Sequence, residues 1–131
     1  MPTFAIEHIE EFETKQKVNK LLRNGKCIVD EFVNEIKQDK NLSPELGDLY
    51  AIIEDVANNQ ILPPTRYKKL RVSKKLKFKP YEAKSKHLRL YLFHEKGSGQ
   101  IIVLGGKKTD QKDDIERLKK LISEYSLFLQ E

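Results

Sequence analysis

Between residues 81 and 108 the chain gathers the side chain types that act on phosphate. Lys84, Lys86, His87 and Arg89 fall within six residues, Tyr81 and Tyr91 flank them, and Lys107 and Lys108 follow Gly105-Gly106. An arginine fork pairs with phosphate oxygens, and a histidine exchanges protons near neutrality. A tyrosine face stacks a base. Lys75, Lys77 and Lys79 add attraction to any polyanion, whatever its sequence. This set suits a surface that pairs with phosphates and stacks bases. His8, His87 and His94 are too scattered for a metal site, and one cysteine, Cys27, permits neither an internal disulfide nor a cysteine-based zinc site. Cys27 lies beside Ile28 and Val29 and reads as a small buried side chain, in keeping with a reducing compartment. Glu95-Lys96-Gly97-Ser98-Gly99-Gln100 lacks the spacing of a phosphate-cradling loop, and no nucleophile elbow appears.

Charge is divided along the chain. The 131 residues carry a net +5, yet residues 1–60 hold 7 Lys+Arg against 12 Asp+Glu, and residues 61–131 hold 18 against 8. Within 66–108 the count is 14 against 2, the two acids being Glu82 and Glu95. Such a block is either a solvated face or a polyanion site. No apolar run approaches the ~18 residues of a membrane span, and the acidic start lacks a signal peptide's features. The expectation is a soluble, cytoplasmic protein with no membrane contact.

The elements that must position these residues follow from periodicity. Thr3 to Ile9 suits a first strand. Val18, Leu21 and Leu22, then Ile28, Phe32, Val33 and Ile36, recur at helical spacing, with Asn24-Gly25 as a break and the main helix over 26–40. Ser43 as N-cap and Pro44 at the first helical position open a second helix, with Leu46, Leu49, Tyr50, Ile53 and Val56 as its stripe. Period two predicts a strand through Val72, Leu76 and Phe78 that Pro80 interrupts, then a strand through Leu88, Leu90 and Leu92. The turn Gly97-Ser98-Gly99 leads into a strand over 100–104 that Gly105-Gly106 ends. A last helix starts at Thr109 or Asp110. The order is β-α-α-β-β-β-α: one α+β domain over 1–131, an antiparallel sheet packed on helices.

Strand alternation puts Leu88, Leu90 and Leu92 on one face and His87, Arg89, Tyr91 and Phe93 on the other. If the leucines meet the helices, the second face is open to a ligand, or Tyr91 caps a small second core under the last helix. Antiparallel closure brings Lys107 and Lys108 to the Lys84–Arg89 end.

The stretch Lys77 to Tyr125 resembles the RelE/HigB-like superfamily of bacterial toxins, in its phage-derived HigB-type branch. The matching residues are Tyr81-Glu82-Ala83-Lys84, Leu88-Arg89-Leu90-Tyr91-Leu92-Phe93, Gln100-Ile101-Ile102-Val103-Leu104, Lys107-Lys108-Thr109 and the helix ending at Tyr125. The resemblance implies the toxin of a toxin-antitoxin module, an endoribonuclease that cuts mRNA on the ribosome by 2′-OH attack without a metal or cofactor, held silent by a cognate antitoxin. Arg89 would then carry transition-state charge, His87 would act as acid or base, Lys84, Lys107 and Lys108 would hold phosphates, and Tyr91 or Tyr81 would stack a base. Lys86 belongs to the same RNA surface. Two other readings stand beside it: a noncatalytic RNA- or ribosome-binding module, and a ParE-like toxin acting on a topoisomerase through protein contacts.

Overall fold

Apolar side chains point to both faces of one sheet, and this decides the architecture. The computed structural model describes residues 1–72 and 75–131. In chain order the elements are β1 (Phe4–His8), β2 (Val18–Arg23), β3 (Lys26–Cys27), α1 (Ile28–Lys37), α2 (Pro44–Ala57), β4 (Tyr67–Lys69), β5 (Pro80–Lys84), β6 (Leu88–Glu95), β7 (Gly99–Lys107), a 3-10 turn (Lys108–Asp110) and α3 (Gln111–Leu129). The strands form one seven-stranded sheet in the order β1-β2-β7-β6-β5-β4, with β3 paired to β2. The expected α+β class is present. The sheet is mixed, not antiparallel throughout, because β2 runs parallel to β7 through Val18↔Gln100 and Lys20↔Ile102. Among the described residues, no helix is long and apolar enough to cross a membrane.

One core lies under α1 and α2, where Leu88, Leu90, Leu92 and Ile102 meet Phe32, Ile36, Leu49 and Ile53. The other lies under α3, where Tyr91, Phe93, Ile101 and Val103 meet Leu118, Ile122 and Tyr125. A bulge between Tyr91↔Leu104 and Leu92↔Ile102 sends both Val103 and Leu104 to the α3 side.

This two-sided cover explains the departures from the sequence reading. Val18 and Leu21 are three apart and look helical, but they belong to strand β2, Val18 in the first core and Leu21 in the second. Residues an odd number apart on a strand face opposite ways, so a strand buried on both sides imitates helical spacing. The strand expected over 72–79 is a loop as far as it is described, with Ser73 and Lys74 outside the described residues. The Leu70 amide donates to the Pro80 carbonyl (2.9 Å) at the loop's base. Leu76 and Phe78 pack into the second core without joining a ladder, so their alternation is real but unpaired. Pro80 starts β5; it does not interrupt a strand. Ser43 makes no capping bond; the Asp39 carboxylate instead accepts from the Asn41 and Leu42 amides ahead of α2.

Gly105 and Gly106 lie inside β7 and do not end it. A Cβ on Gly105 would strike the Phe32 ring of α1, and one on Gly106 would strike the Asp114 carboxylate of α3. Helices approach the same stretch of strand from both faces, and only glycine admits them.

Candidate nucleic-acid interface

The cationic end is built by the turn between β5 and β6. The Ser85 amide donates to the Leu88 carbonyl (3.1 Å), and the Leu88 amide donates back to Ser85 Oγ (3.2 Å). This closes a tight loop that exposes Lys86 and His87. Leu88 pairs with Lys107, and the Lys108 amide donates to the His87 carbonyl (2.8 Å). The Lys84 amide donates to the Arg66 carbonyl (2.8 Å), adding an exposed arginine from before β4. Lys84, Lys86, His87, Lys107 and Lys108 therefore share one end of the sheet, as strand closure required. Lys75, Lys77 and Lys79 belong to the loop at the other end of β5, roughly 13 Å of strand away. All three are exposed, with Lys77 over the Phe78 ring at 5.5 Å.

Glu45, in the first turn of α2, reaches into this end. Its Oε1 accepts from Ser85 Oγ and from the His87 amide (2.8 Å), and its Oε2 lies 2.7 Å from His87 Nδ1. The carboxylate is 12 % exposed and the imidazole 56 %. Burial opposes ionisation of Glu45, but the bonds from Ser85 and from the His87 amide and ring outweigh it and hold the carboxyl below its ordinary pKa. A carboxylate on Nδ1 selects the tautomer that leaves Nε2 as acceptor on the outer side. Nothing in the spacing of residues 45 and 87 reveals this pair. The only sequence signal was an acidic residue behind Pro44 at a helix start.

The block of 14 cations and 2 acids in 66–108 gains contrast from the fate of its acids. Glu82 is buried, accepts from Gln111 Nε2 (2.6 Å) and lies 3.5 Å from the Lys84 ammonium. Glu95 accepts from Ser98 Oγ (2.6 Å) and from the Tyr125 hydroxyl (2.9 Å). Both carboxylates are occupied internally, so the exterior is more positive than the composition.

Arg89 and Tyr91 are placed otherwise than the open-face expectation had them. Helix α3 covers their face of the sheet. Arg89 is 7 % exposed; its Nη1 donates to the carbonyls of Ser85 and Leu88, both at 2.8 Å, and its Nε is buried without a partner. Tyr91 is fully buried with its hydroxyl unpaired; burial, then the Glu82 and Asp114 carboxylates, push the phenol up. Neither lies on an open face, because an aromatic-apolar strand face attracts a helix as readily as a ligand. Tyr81 is half-buried, and its ring stacks on Tyr67 with centroids 5.2 Å apart and planes 5° apart. Among the described residues, no three His, Cys, Asp or Glu side chains gather as a metal site.

Compared with family models, with curated proteins and with solved structures, the chain matches none of them.

Proposed function

We propose that this chain is a RelE/HigB-type toxin that cuts mRNA at the ribosome without a metal, with His87 as its acid-base group. The observation that carries the reading is the Glu45–His87 pair, 2.7 Å between carboxylate and ring, set among Lys84, Lys86, Lys107 and Lys108. The α1–α2 pair followed by the antiparallel run β5-β6-β7 and the last helix α3 supports the reading.

In this reaction His87 Nε2 takes the proton of a ribose 2′-OH, which attacks the adjacent phosphorus. The imidazolium formed is stabilised by Glu45 through Nδ1–H. Lysine ammonium groups of the same end carry the growing phosphoryl charge, and one of them protonates the departing 5′ oxygen. The products are a 2′,3′-cyclic phosphate and a 5′-OH. Arg89 has a positioning role: it clasps the Ser85 and Leu88 carbonyls that shape the turn bearing His87. A cognate antitoxin of acidic surface would cover the same end.

The test is primer extension on mRNA from cells making the protein, with purified protein on synthetic RNA in chelator beside it. Discrete cuts are expected, with His87→Ala slowing them by roughly 10²–10⁴ and Glu45→Gln by less. Cutting that survives His87→Ala overturns the assignment. The roof of α3 over Arg89 and Tyr91 favours a second reading, a noncatalytic RNA- or ribosome-binding module. RNA bound but intact with wild-type protein selects it, and stalled replication with intact RNA selects a ParE-like toxin.

A further inference from the structure

A cleft of about 800 Å³ lies between the 9–17 arch, which joins β1 to β2, and helices α1 and α2; two further pockets measure about 340 and 260 Å³. We propose that this cleft binds a cationic amphipathic peptide segment of a partner protein.

The cleft is preformed. The Ile9 amide donates to Val18 O (2.9 Å) at one foot of the arch, and the Gln16 amide donates to Ala57 O (2.8 Å) at the other. Lys15 N donates to Asn58 Oδ1 (3.0 Å), and the Phe12 ring stands edge-on to Tyr50 at 6.0 Å. A wall fixed at both feet and its crown keeps the cavity open without an occupant, which lowers the ordering cost of binding.

Two features of the lining select the occupant. Half-buried Ile9, Val33 and Tyr50 give it an apolar surface that asks for apolar side chains, closed beneath by the buried Leu90 and Ile102. The rim bears Glu7, Glu10, Glu11, Asp30 and Glu54. Against these stand Lys20 and Lys37, and the Lys20 ammonium is already held 3.0 Å from Asp30 and 3.4 Å from Glu7. A protein of net +5 thus has an acidic lining in a cavity of about 800 Å³. Solvated carboxylates commonly stand on convex surface; these ring a concavity with an apolar base. The sign repels RNA, so the cleft is not an extension of the cationic end. A simple polyamine would satisfy the rim and leave the base bare. A helix with Leu or Val at i, i+3, i+4 and Lys or Arg beside them satisfies both.

The experiment is fluorescence anisotropy of the full chain with a labelled Leu/Lys amphipathic peptide of roughly twelve residues, beside Leu/Glu and Ser/Lys versions. Binding of the Leu/Lys peptide is expected near 10–100 µM, roughly, with the two controls much weaker. The variant Glu10→Lys/Glu11→Lys, both positions exposed, should weaken it at least ~10-fold while RNA binding and melting temperature stay unchanged. Val33→Asp should weaken it separately. The proposal falls if the Leu/Lys peptide fails to bind at roughly 1 mM. It falls equally if the charge-reversed variant binds as wild type, or if Ser/Lys peptide or spermidine binds as well, which would mean attraction by charge alone.

Discussion

A histidine held by a half-buried carboxylate ties chemistry to folding. The lowered pKa of Glu45 means that the folded state binds its proton less readily than the unfolded chain, whose ordinary value is 4.5. The stabilisation is therefore complete above that value and is lost as pH falls through the lowered one. Denaturant titrations from about pH 6 to pH 3 should show wild type more stable than Glu45→Gln at the upper end, with the difference shrinking on acidification. A constant difference would mean that the hydrogen bonds do not distinguish the charged form. Arg89 makes the complementary case. Its guanidinium binds two carbonyls of the turn, and bonds to a charged group contribute about 1.5–3 kcal/mol each. Arg89→Ala should lower the melting temperature by roughly 10 °C or more, at several degrees per kcal/mol for a chain of this size, and slow any RNA cleavage through the turn. An unchanged melting temperature would return the guanidinium to a role at the surface. His87, Lys84, Lys86, Lys107 and Lys108 were legible because strand register alone brings them together. Glu45 was not, because its contact spans two elements 42 residues apart.

Helices on both faces of the sheet leave their imprint on the glycines. Gly105→Ala would drive a methyl into Phe32, and overpacking of this kind costs about 1–3 kcal/mol. Gly47, exposed in α2 with nothing within 4 Å of an added Cβ, is the control. Gly47→Ala should stabilise by about 0.5–1 kcal/mol, so the two substitutions should move the denaturation midpoint in opposite directions. Elements with one buried face were readable: α1 and α2 lie where their stripes placed them, and of the expected α3 stripe Ile115, Leu118, Ile122 and Tyr125 are buried or half-buried, while its last member, Leu129, is exposed. Those with two were not. β2 counterfeits helical spacing, and residues 75–79 keep a strand's alternation outside any ladder because Leu76 and Phe78 dock on the second core. The covering of Arg89 and Tyr91 belongs to the same class of error, since the sequence shows that a face is sticky but not what adheres to it.

At the scale of the molecule, charge is sorted into separate regions. The cationic end concentrates ammonium groups while Glu82 turns inward and Glu45 is held by His87, and the cleft beside the arch is lined by Glu7, Glu10, Glu11, Asp30 and Glu54. Binding of single-stranded RNA should weaken steeply with salt, each neutralised phosphate adding about 0.7 to the logarithmic slope. Lys107→Ala/Lys108→Ala should lower that slope by roughly 1–1.5, whereas Glu10→Lys should not reduce it. A slope unchanged by losing both lysines would place the RNA elsewhere. One pairing has a consequence in time. β2 lies parallel against β7, so residues 18–20 wait for residues 100–102 before the sheet can close. A chain emerging from its N-terminus cannot complete either core until most of its length has been synthesised. Fragments that stop before β7 should stay open to proteases, and refolding should be slow for so short a protein, limited by that single distant meeting of strands.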